Sequence, residues 1–207
     1  MRMLEKNDLW IYEREAVQEG YLSVCGCDEA GAGPLAGPVY AAAVILPMEV
    51  EIPGLTDSKK LTEKKREALY PVIQEKALAW AVASVDAGEI DEIDILNARI
   101  KAMQAAMERL SMAPDYALID GNRDHGSRCS IMTPHRTIVK GDSLSASIAA
   151  AAVLAKVSRD HHMMELAEVY PQYQFEKHKG YGTALHYEML KKYGPSPIHR
   201  RTFLKKL

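Results

Sequence analysis

The sequence predicts an α/β fold in which a mixed β-sheet is flanked by helices and the C-terminal helices form a cap. Strand-like apolar runs alternate with segments whose apolar residues recur every three or four positions. The connections between the first strand-like runs resemble hairpins, so part of the sheet is expected to be antiparallel. The last strongly patterned segments are helical, which suits a cap on one α/β domain.

The N-terminal half supplies a helix, three strands and a second helix. Residues 4–19 are expected to form a short charged helix. Thr62 is the expected N-cap of a helix that Pro71 kinks or splits. The three predicted strands cover residues 21–27, 38–46 and 79–86.

The C-terminal half continues with one long amphipathic helix at 88–110. Short strands are predicted at 116–120 and 137–140, and a long segment rich in small residues, 141–170, is predicted to be helical. A last helix at 183–193 is expected to stop at Gly194. The apolar stripe of the 88–110 helix consists of Ile90, Ile93, Leu96, Ile100, Met103, Met107 and Leu110.

The 207-residue chain suits one domain with a sizeable core, and we expect an N-terminal helical extension at 1–20 followed by that domain at 21–207. Three cysteines do not form a disulfide framework, and buried thiols in a reducing cytosol are expected. The charged N-terminus has no signal-peptide core, and the longest apolar stretch, 146–157, is too short for a bilayer. We therefore predict a cytoplasmic protein without a membrane partner.

The charge distribution favours a polyanionic ligand. The formal net charge is −2, yet residues 176–207 carry eight Lys/Arg against two acids, and residues 123–140 carry four against one. Such a dipolar layout suits binding of a polyanion on one face, although a basic terminus is also common as a merely solvated end.

Acidic residues follow several predicted strands. Asp28 and Glu29 end the first strand, Asp120 ends the strand at 116–120, and Asp142 follows the next strand. Because functional groups gather where the strands of an open sheet terminate, these four acids are predicted to meet at one edge. Carboxylate oxygens bind Mg²⁺ or Mn²⁺, and bound cations would relieve the repulsion between neighbouring acids. Such a cluster can drive phosphodiester hydrolysis with two metal ions.

Each acid also has an ordinary structural explanation. Asp142 is well placed as a helix N-cap, and Asp120 followed by Gly121 is a typical turn dipeptide. None of the seven histidines falls at a predicted strand end, so a ribonuclease mechanism based on a histidine pair is disfavoured. The glycines at 31–37 approximate a dinucleotide-binding loop, but two prolines and a following strand argue against it.

Six motifs, in order along the chain, resemble bacterial ribonuclease HII. They are DEAGAGPLAGPV at 28–39, TDSKKLT at 56–62, LIDGN at 118–122, the run IVKGDSLSASIAAAAVLAKVSRD at 138–160, HKGYGTALH at 178–186 and HRRTF at 199–203. The resemblance implies a ribonuclease H-like fold and a single catalytic domain at 21–207. It also implies an endonuclease that cuts RNA in RNA–DNA hybrids and nicks duplex DNA 5′ of single embedded ribonucleotides, leaving 3′-hydroxyl and 5′-phosphate ends.

The resemblance also implies site residues. Asp28, Glu29, Asp120 and Asp142 would bind Mg²⁺ or Mn²⁺ and form the active site. A duplex containing ribonucleotides would be the partner, without an obligate protein partner, and the chain would act as a monomer. The implied substrate-binding residues are Gly31, Ala32, Gly33, Ser58, Lys59 and Tyr181.

One position departs from the family pattern. The family has a Gly-Arg-Gly loop after the acid pair, whereas this chain has Ala32 between Gly31 and Gly33. Arginine would supply a charged fork for phosphate and alanine does not, so weaker junction recognition is expected. Tyr181 matches a tyrosine that stacks on the deoxyribose past the cut, although a half-buried core tyrosine is the common alternative.

Two other functions remain open at this level. Another ribonuclease H-like nuclease, such as a junction resolvase or DNA exonuclease, would cut all-DNA substrates equally well. A duplex-binding protein whose acids only cap helices would bind hybrid without metal and never cut. The basic C-terminal stretch would hold duplex backbone in each case, so affinity is expected to fall with salt.

Overall fold

The protein is described by a computed structural model that covers residues 8–56 and 61–204. Its centre is a five-stranded sheet with the strand order β3-β2-β1-β4-β5. The first two pairings, β1 with β2 and β2 with β3, are antiparallel, whereas β1 with β4 and β4 with β5 are parallel. The predicted mixed sheet is therefore confirmed. The strands are β1 (Val24–Ala30), β2 (Val39–Ile45), β3 (Ala79–Val85), β4 (Tyr116–Asp120) and β5 (His135–Ile138).

Helices lie on both faces of this sheet. The α-helices of the described residues are α1 (Ile11–Gln18), α2 (Glu63–Lys76), α3 (Ala87–Ile93), α4 (Ile95–Glu108), α5 (Ala146–Val169), α6 (Phe175–His178) and α7 (Ala184–Tyr193). Along β2, Ala41 and Ala43 face a core built with α3 and α4, while Ala42 and Val44 face a core built with α2 and α5. This period-2 alternation explains the run of buried small residues in a central strand.

The small residues of α5 allow it to lie directly against β1. A Cβ atom on Gly26 would be 2.1 Å from the carbonyl carbon of Ser147 and 2.2 Å from the nitrogen of Ile148. Main chain therefore meets main chain, which only glycine permits. This contact fixes the start of α5 beside the strand that carries the acid pair.

Two helix predictions need correction. The single helix expected at 88–110 is two helices, α3 and α4, because Asp94 adopts a positive φ of 69° and its side chain accepts a hydrogen bond from the nitrogen of Asn97. Asp94 therefore caps a new helix inside an unbroken apolar stripe. Pro71 does not split α2, which continues through it to Lys76. Thr62 is the N-cap, as predicted.

The segment 141–170 is also helical over a shorter range than predicted. A short 3₁₀ turn, Gly141–Ser143, precedes α5, and Ser145 caps that helix by accepting from the nitrogen of Ile148. Asp142 is therefore not the N-cap of α5. The first strand extends to Ala30, so the acid pair belongs to β1 itself rather than following it.

The N-terminal helix packs on the domain through a buried carboxylate. Glu13 in α1 accepts hydrogen bonds from Ser145 Oγ at 2.6 Å and from the nitrogen of Ser147 at 3.0 Å. Burial raises the pKa of Glu13. The predicted helix over 4–19 is observed only from Ile11 to Gln18, and its first residues lie outside the described ranges. The proposed division at residue 20 stays a prediction.

The described cysteines are free thiols. Cys25 and Cys27 are completely buried in the same core, as their spacing in a strand predicts. Burial raises the pKa of Cys25 to about 12, so that thiol is held in its protonated form at neutral pH.

The C-terminal helices pack on the end of α5, which agrees with the predicted cap. Their apolar cluster joins Met163 of α5 to Phe175, Met189 and Leu190, among others. Among the helices of residues 8–56 and 61–204, none is both long enough and apolar enough to cross a membrane.

Candidate active site

Three of the four predicted site acids come together through strand register. In the parallel pair β1–β4, Cys27 lies opposite Ile119, so the next residues of the two adjacent strands are Asp28 and Asp120. Glu29 follows on β1. The parallel register explains why acids more than ninety positions apart share one sheet edge.

Asp142 reaches the same place from the turn before α5. Lys140 adopts a left-handed conformation with a φ of 59°, and the chain then enters the 3₁₀ turn that carries Asp142. The nitrogen of Gly141 donates to Asp120 Oδ1 at 2.7 Å, which ties this turn to the end of β4. Asp142 is 2 % exposed, and Asp28 is 5 % exposed.

The neighbouring carboxyl groups act on Asp28 through their charge. Burial, followed by the charges of Glu29, Asp120 and Asp142, raises the pKa of Asp28 well above its ordinary value. Buried like charges require a nearby cation to remain ionised together. The donor set consists of oxygen atoms alone, and such a set fits a hard divalent cation.

Several of these oxygens are occupied by protein donors. Asp28 Oδ1 accepts from the nitrogen of Glu29 at 2.7 Å, and Glu29 Oε1 lies 2.6 Å from Nη2 of Arg99 in α4. Within the described residues, no three Asp, Glu, His or Cys side chains are grouped so that they could hold a metal ion.

The glycine loop after β1 is fixed from beneath by two buried arginines. Arg200 donates to the carbonyl oxygens of Gly31 at 2.6 Å, Ala32 at 3.0 Å and Gly37 at 3.0 Å. Arg159 donates to the oxygens of Pro38 and Ala36, at 3.0 and 3.3 Å. Both arginines are completely buried, and burial lowers the pKa of Arg200 to about 9.

Gly31 is required by this packing. Its φ is 92°, and a Cβ atom there would lie 2.0 Å from Nε of Arg159. Gly33 differs, because a Cβ atom there would meet nothing within 4 Å. Among the hydrogen bonds of the described residues, none has the N–H of Gly31, Ala32 or Gly33 as its donor. The carbonyls of this loop thus bind arginine, while its N–H groups remain available to a ligand.

An open cleft joins these elements. It contains Asp28, Glu29 and Asp120, together with the three loop residues 31–33 and Tyr181. Tyr181 is 40 % exposed, so it is a surface platform rather than a core residue. The guanidinium of Arg159 lies 5.6 Å from its ring centre, which supports the ring from one side. Ser58 and Lys59, the other predicted substrate contacts, lie outside the described residues.

Two cations of the cleft were not predicted as functional. Arg66 is not among the predicted site residues, yet it lines the cleft. Lys156 lines it too and pairs with Asp160 at 2.7 Å. One sequence signal marks Lys156, since this lysine interrupts the apolar run of α5. Arg159 and Arg200 lie within two of the quoted motifs, at 138–160 and 199–203, but no feature of those motifs indicates which groups the arginines bind, and Arg99 lies outside all six motifs.

The described histidines do not form a catalytic pair in the cleft. His186 Nδ1 donates to the carbonyl of Tyr181 at 2.9 Å, and its Nε2 lies 3.0 Å from Nε2 of His199. Burial lowers the pKa of both histidines to about 4. Because these rings are neutral at pH 7, their role in the structure is to fix the main chain near Tyr181.

Comparisons with known proteins agree with this arrangement. The sequence model of the family described as Ribonuclease HII matches residues 25–206. A protein named Ribonuclease HII from Caldicellulosiruptor bescii is 50 % identical over 207 residues, covering 100 % of this chain and 98 % of the relative. Another of that name, from Idiomarina loihiensis, is 56 % identical over 180 residues, covering 87 % and 94 %. The crystal structure of the ribonuclease H2 from Pyrococcus horikoshii superposes with a TM-score of 0.72 at 26 % identity, covering 87 % and 93 %.

Proposed function

The chain belongs to the ribonuclease HII family, and we propose that beyond the family's cleavage of RNA in RNA–DNA hybrids it nicks duplex DNA 5′ of single embedded ribonucleotides. The products carry 3′-hydroxyl and 5′-phosphate ends. The observation that carries this proposal is the cleft that brings Asp28, Glu29 and Asp120 together with the loop at 31–33 and Tyr181.

Asp28, Glu29, Asp120 and Asp142 are proposed to hold Mg²⁺ or Mn²⁺. When bound, such ions lower the pKa of an attacking water and stabilise the leaving 3′-oxygen. The carboxylates contribute fixed negative charge and oxygen ligands, and the buried position of Asp28 and Asp142 keeps bulk water from competing for them. The strand ends of β1 and β4 supply the rigidity that this positioning needs.

The glycine loop is proposed to read the nucleic acid strand. The N–H groups of residues 31–33 donate no hydrogen bond within the described part of the chain, so they can donate to a phosphate or to the ribose 2′-hydroxyl. That hydroxyl distinguishes a ribonucleotide from its deoxy neighbours. Tyr181 provides an exposed ring on which a sugar can stack, and Arg66 and Lys156 add positive charge to the cleft.

Ala32 is proposed to weaken junction recognition without abolishing cleavage. It offers no side-chain charge, but its N–H is available and its carbonyl is held by Arg200. The loop amides therefore still bind, while the guanidinium fork that the resemblance leads us to expect is missing. We further propose that residues 21–207 act as one monomeric catalytic domain without an obligate protein partner.

The test is a nicking assay on a DNA duplex with one embedded ribonucleotide, in Mg²⁺, Mn²⁺ or EDTA, beside an all-DNA duplex. We expect a metal-dependent nick 5′ of the ribonucleotide and no cut in DNA. Asp142→Asn should remove the activity, whereas Asp115→Asn, at the opposite end of β4, should keep it.

The Ala32→Arg variant measures the cost of the substitution. We expect it to bind the junction at least about tenfold more tightly, because a charged donor adds roughly 1.5–3 kcal/mol to a phosphate contact in favourable geometry. Equal affinity and equal preference for a single ribonucleotide in both proteins would refute this role. Equal cutting of all-DNA substrate would favour a general nuclease. Metal-independent binding without any cut would favour a duplex-binding protein.

A further inference from the structure

Arg99 places a guanidinium group directly against one of the four carboxylates. Its Nη2 atom lies 2.6 Å from Oε1 of Glu29, and the two side chains are 27 % and 11 % exposed. A Cβ atom on Gly121 would be 3.9 Å from the same Nη2. The guanidinium therefore lies between Glu29 and the turn that follows Asp120.

This contact differs from those of the neighbouring acids. Asp28 and Asp120 each accept a main-chain N–H, whereas Glu29 is paired with a full positive charge. Nε of Arg99 is buried and has no hydrogen-bond partner among the described residues. The end of the side chain is thus held by the ion pair rather than by a network of its own.

We propose that Arg99 is a positioning residue that acts as an internal cation and competes with divalent ions for Glu29. This inference rests on the proposed metal site. Arginine is always charged, so the carboxylate is neutralised whether or not an ion is present. An ion that approaches Glu29 meets this positive charge and must share or displace the guanidinium. Arg99 therefore lowers the affinity of the four carboxylates for divalent cations.

The same pairing has a consequence for substrate binding. Four carboxylates repel the phosphate groups of a nucleic acid, and a fixed cation at their edge offsets part of that repulsion. A site with moderate intrinsic cation affinity fills most completely when the phosphate supplies further oxygen ligands. Arg99 thereby couples the filling of the site to the presence of substrate.

A purely structural role predicts something different. If the ion pair only fastens α4 to β1, loss of its charge lowers the free energy of unfolding and leaves cation affinity unchanged. Competition predicts instead that the affinity for divalent cations rises when the ion pair with Glu29 is removed. The two explanations are separated by measuring cation binding and stability on the same variants.

The experiment titrates the full chain with Mn²⁺, without nucleic acid, and follows free Mn²⁺ by electron paramagnetic resonance. Arg99→Met removes the charge at similar length, Arg99→Gln keeps a donor without charge, and Arg99→Lys keeps the charge. Arg109→Met is the matched control, because that arginine ends α4 and donates to the carbonyl of Val82 instead.

We expect Arg99→Met and Arg99→Gln to bind Mn²⁺ about tenfold more tightly, since one unit charge within ~4–6 Å changes the ionic preference of a carboxylate by a factor of ten or more. Arg99→Lys should stay near the parent protein, and Arg109→Met should equal it. Urea unfolding of each variant shows whether it is folded.

Unchanged or weaker Mn²⁺ binding by the folded Met or Gln variant, with Asp142→Asn abolishing binding, would overturn the inference and leave the proposed function standing. If the parent protein binds no Mn²⁺, both the metal site and the role of Arg99 are refuted. Tighter binding in both uncharged variants, restored by lysine, supports the competition.

Discussion

A methyl group added at Gly26 tests how closely β1 and α5 must approach. Its Cβ would lie 2.1 Å from the carbonyl carbon of Ser147 and 2.2 Å from the nitrogen of Ile148. Non-bonded carbon atoms pack at about 3.5–4.0 Å, so strand and helix must separate by roughly 1.4 Å or more at this point. Both opposing atoms belong to the main chain, so no side-chain rotation relieves the overlap.

The cost follows from this geometry. Overpacking a core costs about 1–3 kcal/mol, and we expect Gly26→Ala to reach at least the upper end because backbone must move. A domain has only ~5–15 kcal/mol of stability, so the loss is a large fraction of it. Asp28 lies two residues further along β1, and Asp142 lies just before α5. The same displacement therefore changes the spacing of the carboxylates, and activity should fall even where the variant is folded.

The assay is urea unfolding followed by circular dichroism. With a slope of about 2–3 kcal/mol per M, a loss of ~3 kcal/mol lowers the midpoint by about 1 M or more. Gly33→Ala is the matched control, since its Cβ would meet nothing within 4 Å. Its free energy of unfolding should change by less than ~0.5 kcal/mol. Equal midpoints for the two variants would refute the close approach of strand and helix.

Two further predictions concern the C-terminal cap. Arg200→Met removes three hydrogen bonds to the loop carbonyls and should lower the free energy of unfolding by roughly 2–4 kcal/mol, measured in urea. The loss of these charged hydrogen bonds outweighs the gain from no longer burying a cation. KM for the nicked duplex should rise more than kcat falls, and an unchanged KM would contradict the role of Arg200 in shaping the loop. The free energy of unfolding should also fall in acid. His186 and His199 have folded pKa values of about 4, below the unfolded value of ~6.5, so the unfolded state binds protons first as the pH falls. Stability that is fully present above pH ~6.5 is therefore lost as the pH falls towards 4. His199→Gln should flatten this part of a melting-temperature profile, and an equally steep profile in the variant would refute the assignment.

The local pattern of apolar residues was enough to predict most of the strands and a sheet that contains both parallel and antiparallel pairs. The strand at 116–120 agrees residue for residue, and β2 and β3 agree to within a residue at each end. The short connection at 31–38 favours the antiparallel pairing of β1 with β2, whereas β2 and β3 are antiparallel although they are joined through α2 rather than by a hairpin turn. The apolar stripe at 88–110 failed to reveal the break at Asp94, since a capping aspartate on the solvent side does not interrupt apolar spacing.

The acids were predictable and the cations were not, for a physical reason. An acid that ends an apolar strand is conspicuous in sequence, and the parallel register then brings such acids together. Arg159 and Arg200 bind main-chain carbonyls of a distant loop, and no side-chain pattern marks a carbonyl as a partner. The basic C-terminal stretch was interpreted as a nucleic acid surface, yet Arg200 within it is completely buried. Charge counted along a sequence therefore overstates the charge available to a ligand.

The buried arginines explain how the loop keeps its amides open to a ligand. A guanidinium can accept no hydrogen bond, so it binds only the carbonyl side of the loop and leaves the N–H side free. An acid in that position would instead bind the N–H groups and occupy the surface that an anion needs. Burying a cation is costly, and Arg200 recovers much of that cost through three carbonyl contacts. Positive charge beneath the loop also favours phosphate above it, so one residue both shapes the anion site and biases its charge.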